Sequence, residues 1–214
     1  MKTYIREPIN GLTHLAGAIL SFIALLAMVI KASAESSPLA VAAVIVFGVS
    51  MILLYAASAT YHMVIAKDHV ISFLRRLDHS MIFILIAGSY TPFCLVTLRG
   101  FTGWTLFAAV VAIAVCGIVF KMIWFHCPRW LSTVLYIAMG WMIVFAASPL
   151  AKSLHPQGLF WLILGGMLYT IGGIIYGMKP KLLAFKYMGY HEIFHIFIML
   201  GSFAHFLCVF LYVI

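Results

Sequence analysis

The sequence predicts an all-α membrane protein: one bundle of seven transmembrane helices, with the N-terminus in the cytoplasm and the C-terminus outside. Three observations predict it. Of the 214 residues, 65% are hydrophobic and 8% charged, where a soluble domain has roughly a quarter charged. The mean hydropathy is +1.15. The apolar residues fall into seven runs, each close to the ~20 residues that a spanning helix needs. Finally, the basic residues alternate from loop to loop.

The seven runs are Leu12–Ile30, Leu39–Ala66, Ser80–Leu98, Phe101–Phe120, Trp130–Leu150, Leu159–Met178 and His191–Ile214. They are continuous and rich in Ala, Leu and Ile. The alternation of a membrane barrel is absent, so they read as helices. The start of the first run, "REPINGLTHLAGAIL", is too polar for a cleavable signal, so that run is expected to stay as a span. No internal repeat, low-complexity segment or long linker interrupts the chain, and residues 1–214 are expected to form one domain.

The net charge is +8, and its placement carries the topology. One side collects Lys2, Arg6, Lys67, Arg75, Arg76, Lys121, Arg129, Lys179, Lys181 and Lys186. The other holds only Lys31, Arg99 and Lys152. The positive-inside rule makes the first side cytoplasmic, where the excess would also meet anionic lipid. The expected partners are therefore membrane lipids. Nucleic acid is excluded, since no basic patch with interleaved aromatics stands in a soluble domain. Cys94, Cys116, Cys127 and Cys208 have no CxxC spacing and read as small apolar residues. Trp104, Trp124, Trp130, Trp141 and Trp161 read as an interfacial belt, and the glycines of "GGMLYTIGGIIYG" as places of close helix approach.

Ionisable residues in a span mark function by default. The acids are Glu7, Glu35, Asp68, Asp78 and Glu192, beside nine histidines. Glu7, Asn10, Thr13 and His14 open the first span. His62 closes the second, Asp78 heads the third, and His191 and His195 open the seventh. All fall at one depth, just inside the cytoplasmic face. His191 and His195 are four apart and share a helix face, as do Ser58 and His62. Three imidazoles plus an open position is the arrangement of reactive zinc sites. His62, His191 and His195 supply the three, with Asp78 at the right level to bind the metal-held water or orient a ligand, unless it caps the third helix or pairs with Arg75 or Arg76. His205 lies ten residues past His195, about 15 Å deeper at 1.5 Å per residue, so it belongs to packing rather than to that cluster. His126 and His155 stand beside prolines in loops and read as solvated. His69 and His79 lie near the site's depth, but His79 points away from Asp78's face.

"HEIFH" also spells the HExxH of zinc proteases. On a helix, however, Glu192 is turned about 100° from His191, no Asn-Pro-Asp-Gly segment supplies a third ligand, and His62 would be idle. The sequence assigns Glu192 no role. A pore or lytic peptide is not indicated, because no conduit or amphipathic lytic helix is visible.

Four motifs in order, "EPINGLTH", "SATYH", "LDHSMIFILIAGSYTPF" and "HEIFHIFIMLGSFAHF", carry a full-length resemblance to the bacterial hemolysin III branch of the progestin and adipoQ receptor family, itself similar to the alkaline ceramidases. The resemblance implies a seven-helix bundle with a cytoplasm-side Zn2+ held by His62, His191 and His195. It implies a water-associated acid at Asp78, a serine at Ser58 and a helix-one pair at Glu7 and Asn10. It does not require an acid at Glu192. In the ceramidase relatives such a site hydrolyses a lipid amide; the receptors add ligand sensing, and the bacterial branch carries a cytolysin name. No long extramembrane N-terminal domain precedes the first span here, so recognition by such a domain is not expected. Two functions are carried forward: a zinc-dependent, ceramidase-like hydrolase of lipid amides or esters, with Asp78 and Ser58 catalytic, and a non-catalytic sensor with structural zinc.

Overall fold

Among the described residues, seven helices are long and apolar enough to cross a membrane. They are α1 (Pro8–Ala34), α2 (Pro38–Met63), α3 (Asp68–Leu98), α4 (Gly100–Ile123), α5 (Arg129–Ser153), α6 (Pro156–Met178) and α7 (Tyr190–Tyr212). The computed structural model describes residues 4–34, 37–124, 126–183, 185 and 188–214. Lys2 and Lys186, counted in the charge pattern, and Glu35 lie outside the described residues. No strand occurs among the described residues.

Local chemistry starts and stops these helices. Pro38 opens α2, where its missing N–H costs nothing, and the Ser37 hydroxyl accepts a hydrogen bond from the Ala40 amide at 3.3 Å. Pro156 opens α6 in the same way. There His155 acts as the cap, its Nδ1 accepting from the Gln157 amide at 3.3 Å, so this histidine terminates a helix rather than merely facing solvent. Between α3 and α4 the chain reverses through Arg99 and Gly100, at φ +50° and +53°; glycine takes that conformation at no steric cost. The last turn of α3, Phe93–Leu98, widens to π-helical geometry after Pro92, and α5 tightens to a 3-10 stretch over Trp141–Ala146.

The interior is carried unequally. About half of α2 and α3 is buried, and nearly two-fifths of α7, against about a fifth of the other helices. Met28, Phe47, Met51, Leu54 and Tyr55 centre one apolar cluster, and Phe83, Tyr90, Leu106, Val110 and Met139 a second. Large apolar side chains such as Leu20, Ile23, Val115 and Phe145 face outward, as a lipid-bathed surface requires. The α6–α7 contact uses small residues as the glycine-rich run predicts. A methyl group added at Gly172 would sit 2.9 Å from Phe197 Cβ, and one at Gly201 would sit 2.7 Å from the Tyr169 ring.

Two expectations need correction. α3 begins at Asp68, twelve residues before the apolar run at Ser80. Arg75, Arg76 and Asp78 are therefore helical, and Asp78 lies three turns inside α3 instead of capping it. Hydropathy registers lipid contact; this end of α3 instead turns Arg75, Asp78 and His79 toward an internal cavity. Trp141 is also misplaced by the belt reading. It sits in the middle of α5, where its indole donates to Thr170 Oγ1 at 2.9 Å.

Candidate metal centre

α1 begins where α2 ends, and two backbone hydrogen bonds join them there: Glu7 N to His62 O at 2.9 Å and Arg6 N to Met63 O at 3.4 Å. α7 begins at the same end. His62 reaches in from the last turn of α2, His191 and His195 from the first two turns of α7. One ligand atom from each lies within 4.8 Å of the others. The rings are close: His62 to His195 at 5.0 Å, His62 to His191 at 5.2 Å and His191 to His195 at 4.7 Å between centroids. His62 Nε2, His191 Nε2 and His195 Nδ1 are buried with no hydrogen-bond partner among the described residues. One unpaired polar atom in a membrane interior is a cost. Three that converge suit a shared cation.

Supporting groups fix the rings. His62 Nδ1 lies 2.6 Å from Glu7 Oε2. An ionised carboxylate only accepts, so the imidazole must donate from Nδ1, which leaves the Nε2 lone pair for a ligand. Burial opposes the charge on Glu7. The His62 contact, with help from Asn10 and Arg6, outweighs that and holds the carboxyl below the ordinary glutamate range. Asn10 then ties two helices together, its Nδ2 donating to Glu192 Oε1 at 2.8 Å and to Glu7 Oε2 at 3.3 Å.

Glu192, unassigned by sequence, now has a place. Its Oε2 accepts from the Gly189 amide at 2.7 Å, capping α7, while Oε1 takes Asn10. With both oxygens engaged, it orients α1 on α7. His14 stacks on His195, with ring centroids 3.6 Å apart and planes 12° from parallel. Both His14 ring nitrogens are also buried with no hydrogen-bond partner among the described residues, but the group whose ligand atoms lie within 4.8 Å of one another is His62, His191 and His195.

Ser58 on α2 faces Asp78 on α3. Both line an internal chamber of about 440 Å³ with His191 and His195. Apolar side chains such as Leu54, Ile82, Phe93 and Leu162 form most of its wall, and it runs on toward Leu150 and Leu159 near the opposite ends of their helices. A second, more polar recess of about 490 Å³ is lined by Glu7, Asn10, His62 and Glu192. The two spaces share Arg75, His79, Arg129, Tyr176 and His191. The histidine cluster thus stands between an apolar chamber and a polar vestibule. His79, set aside on helical angle, lines both. Tyr176, Arg129 and Lys121 escaped the sequence reading because tyrosine is common in spans and the two cations were absorbed into topology. His205 stays apart, as expected, its Nε2 donating to the Leu162 carbonyl at 3.3 Å.

Fold and site together define a polytopic α-helical membrane protein with a buried histidine cluster at the end of the bundle where α1 and α7 start. The chain belongs to the hemolysin III family: the family model described as haemolysin-III related matches residues 2–206. Hemolysin-3 of Bacillus cereus is 43% identical over 217 residues, covering 100% of this chain and 95% of that protein. The Hemolysin-3 homolog of Bacillus subtilis (strain 168) is 41% identical over 212 residues, covering 99% and 96%. The protein is a multi-pass integral membrane protein, and in bacteria its membrane is the inner one.

Proposed function

We propose that the chain is a zinc-dependent hydrolase of lipid amide or ester bonds, acting at the cytoplasmic side. One observation carries the reading: three orphaned imidazole nitrogens converge at the mouth of an apolar chamber that also presents Asp78 and Ser58. The donor set fits Zn2+, which binds imidazole at about 2.0–2.1 Å. The Glu7–His62 contact supports it, being the carboxylate–histidine pair that typically backs a metal ligand. Three protein ligands leave a position open, which favours catalysis over the fully closed sites of structural zinc. The chamber's apolar wall favours an acyl chain, and the lysine and arginine distribution favours the cytoplasmic side.

Zinc held there would polarise a carbonyl and bring the pKa of water down toward about 7. The chain's own groups do the rest. Asp78, buried against Ser58, is the acid that takes and returns a proton beside the scissile bond. The single Ser58 hydroxyl proton goes first to the Asp78 carboxylate; once Asp78 has taken a proton it donates to Ser58, and the hydroxyl is free to turn toward developing negative charge. The chamber wall keeps bulk water from the acyl chain, while the vestibule admits the polar head.

The test uses purified full-length protein in detergent or nanodiscs, with long-chain lipid amides and esters as substrates. Wild type should carry close to one zinc per chain and release fatty acid. Asp78→Ala should keep the zinc and lose about a hundredfold or more of the rate, the usual scale of general acid–base contributions. Equal product formation by Asp78→Ala would sink the hydrolase reading, and zinc without turnover in wild type would leave the sensor.

A further inference from the structure

Lys121, in the last turn of α4, is only 2% exposed. A lysine at the end of a spanning helix ordinarily runs its ammonium out to the interface. This one turns inward. Its Nζ donates to Ser132 Oγ on α5 and, at 3.3 Å, to Cys127 Sγ, and all three residues line the chamber. Neither partner is an acid. The ion pairs that form among the described residues involve Glu7, not Lys121. Two hydrogen bonds leave one of the three ammonium protons unused. Among the described residues the chamber wall holds one carboxylate, Asp78, which interacts electrostatically with Arg75 on its own helix and makes no ion pair with Lys121. Enclosed charge is expensive unless something pairs with it.

We infer that Lys121 and Ser132 form a subsite for an anionic group, a carboxylate or a phosphate, on a single-chain amphiphile whose hydrocarbon tail occupies the chamber. The ammonium supplies the charge, and the Ser132 hydroxyl accepts from it and donates to the anion. A neutral lipid amide would leave Lys121 buried without a counter-charge, whereas an acidic one completes it. The inference rests on reading the chamber as an acyl-chain site, and it narrows the substrate class to amphiphiles with an acidic head.

Binding of three probes with the same oleoyl tail tests it: N-oleoylglycine, oleoyl lysophosphatidic acid and the neutral N-oleoylethanolamine. Full-length protein is used in phosphatidylcholine nanodiscs after chelator treatment, so no turnover is needed. Wild type should bind at least one acidic probe about tenfold tighter than the neutral one, as a charge-assisted hydrogen bond allows. The two acidic arms separate carboxylate from phosphate. Lys121→Met should erase the difference and leave N-oleoylethanolamine affinity unchanged, while Lys121→Arg should keep most of it. Where Lys121→Met does not fold, Ser132→Ala should reduce the preference severalfold. Equal binding of all probes by wild type, or a preference that survives Lys121→Met, overturns the subsite. The two readings fail separately. A head-group preference without product formation with metal restored defeats the hydrolase alone; turnover indifferent to head charge defeats the subsite alone.

Discussion

Two ends of α7 present the same chemical problem and solve it differently. His195 and His205 are both buried histidines on one helix, ten residues apart. His205 has one ring nitrogen bonded locally. It reaches the Leu162 carbonyl on α6, lies against Gly165, which gives it room, and meets the Tyr169 ring edge at 5.3 Å. Its remaining nitrogen is orphaned alone. His195 stands with two other histidines whose orphaned nitrogens point to one place, and a carboxylate orients the His62 ring. The difference teaches that a rare intramembrane histidine is weak evidence of function. Convergence of unpaired donors from separate helices, with a supporting acid, is strong evidence.

The sharpest way to break the comparison is to remove each histidine and count metal. His195→Ala should lose essentially all zinc by elemental analysis of purified protein. His205→Ala should retain it. The next effect is smaller and tests the support. Glu7→Gln leaves all three imidazoles but replaces the carboxylate facing His62 Nδ1, and should weaken zinc 10–100-fold, the usual range for such partners, as read by competition with a chelator. An unchanged affinity would mean that the 2.6 Å contact has no part in metal binding.

The comparison also shows what the sequence could and could not say. Seven spans were legible because lipid demands long apolar runs. The His62, His191 and His195 set was legible because helical spacing and loop alternation place all three at one depth. The start of α3 was not: its first turn is exposed and the next ones turn Arg75, Asp78 and His79 toward an internal cavity, which a hydropathy pattern cannot distinguish from a loop. Lys121 and Arg129 were hidden for a related reason. A cation near a span end is expected on topological grounds, and only coordinates reveal that the Lys121 ammonium is folded inward. Glu192 was opaque because one of its two partners, Asn10, comes from α1 at the far end of the sequence, while the other, the Gly189 amide, is the local cap of its own helix.

A third change probes the packing side of the comparison. His205→Ala should cost stability, about 1–3 kcal/mol for a buried polar side chain whose partner loses its bond, visible as a lower Tm in detergent with zinc content intact. Loss of zinc alongside that modest destabilisation would show the two ends of α7 to be coupled, and would weaken the distinction between a lone buried histidine and one that belongs to a cluster.

The smallest expected effect decides what HEIFH means. Glu192→Gln keeps the length of the side chain and one carbonyl oxygen. The α7 cap from Gly189 should survive in weakened form, and the Asn10 amide would face a neutral partner. A cap and tether of this kind contributes about 1 kcal/mol, so the expected result is a slightly lower Tm, full zinc and lipid-hydrolase turnover within a fewfold of wild type. A protease of the HExxH type needs that carboxylate as its base. There the same conservative change would keep the metal and abolish the reaction, a loss of orders of magnitude. Retained turnover would fix the pentapeptide as two ligands held on one helix face, with an acid between them that secures α1 to α7.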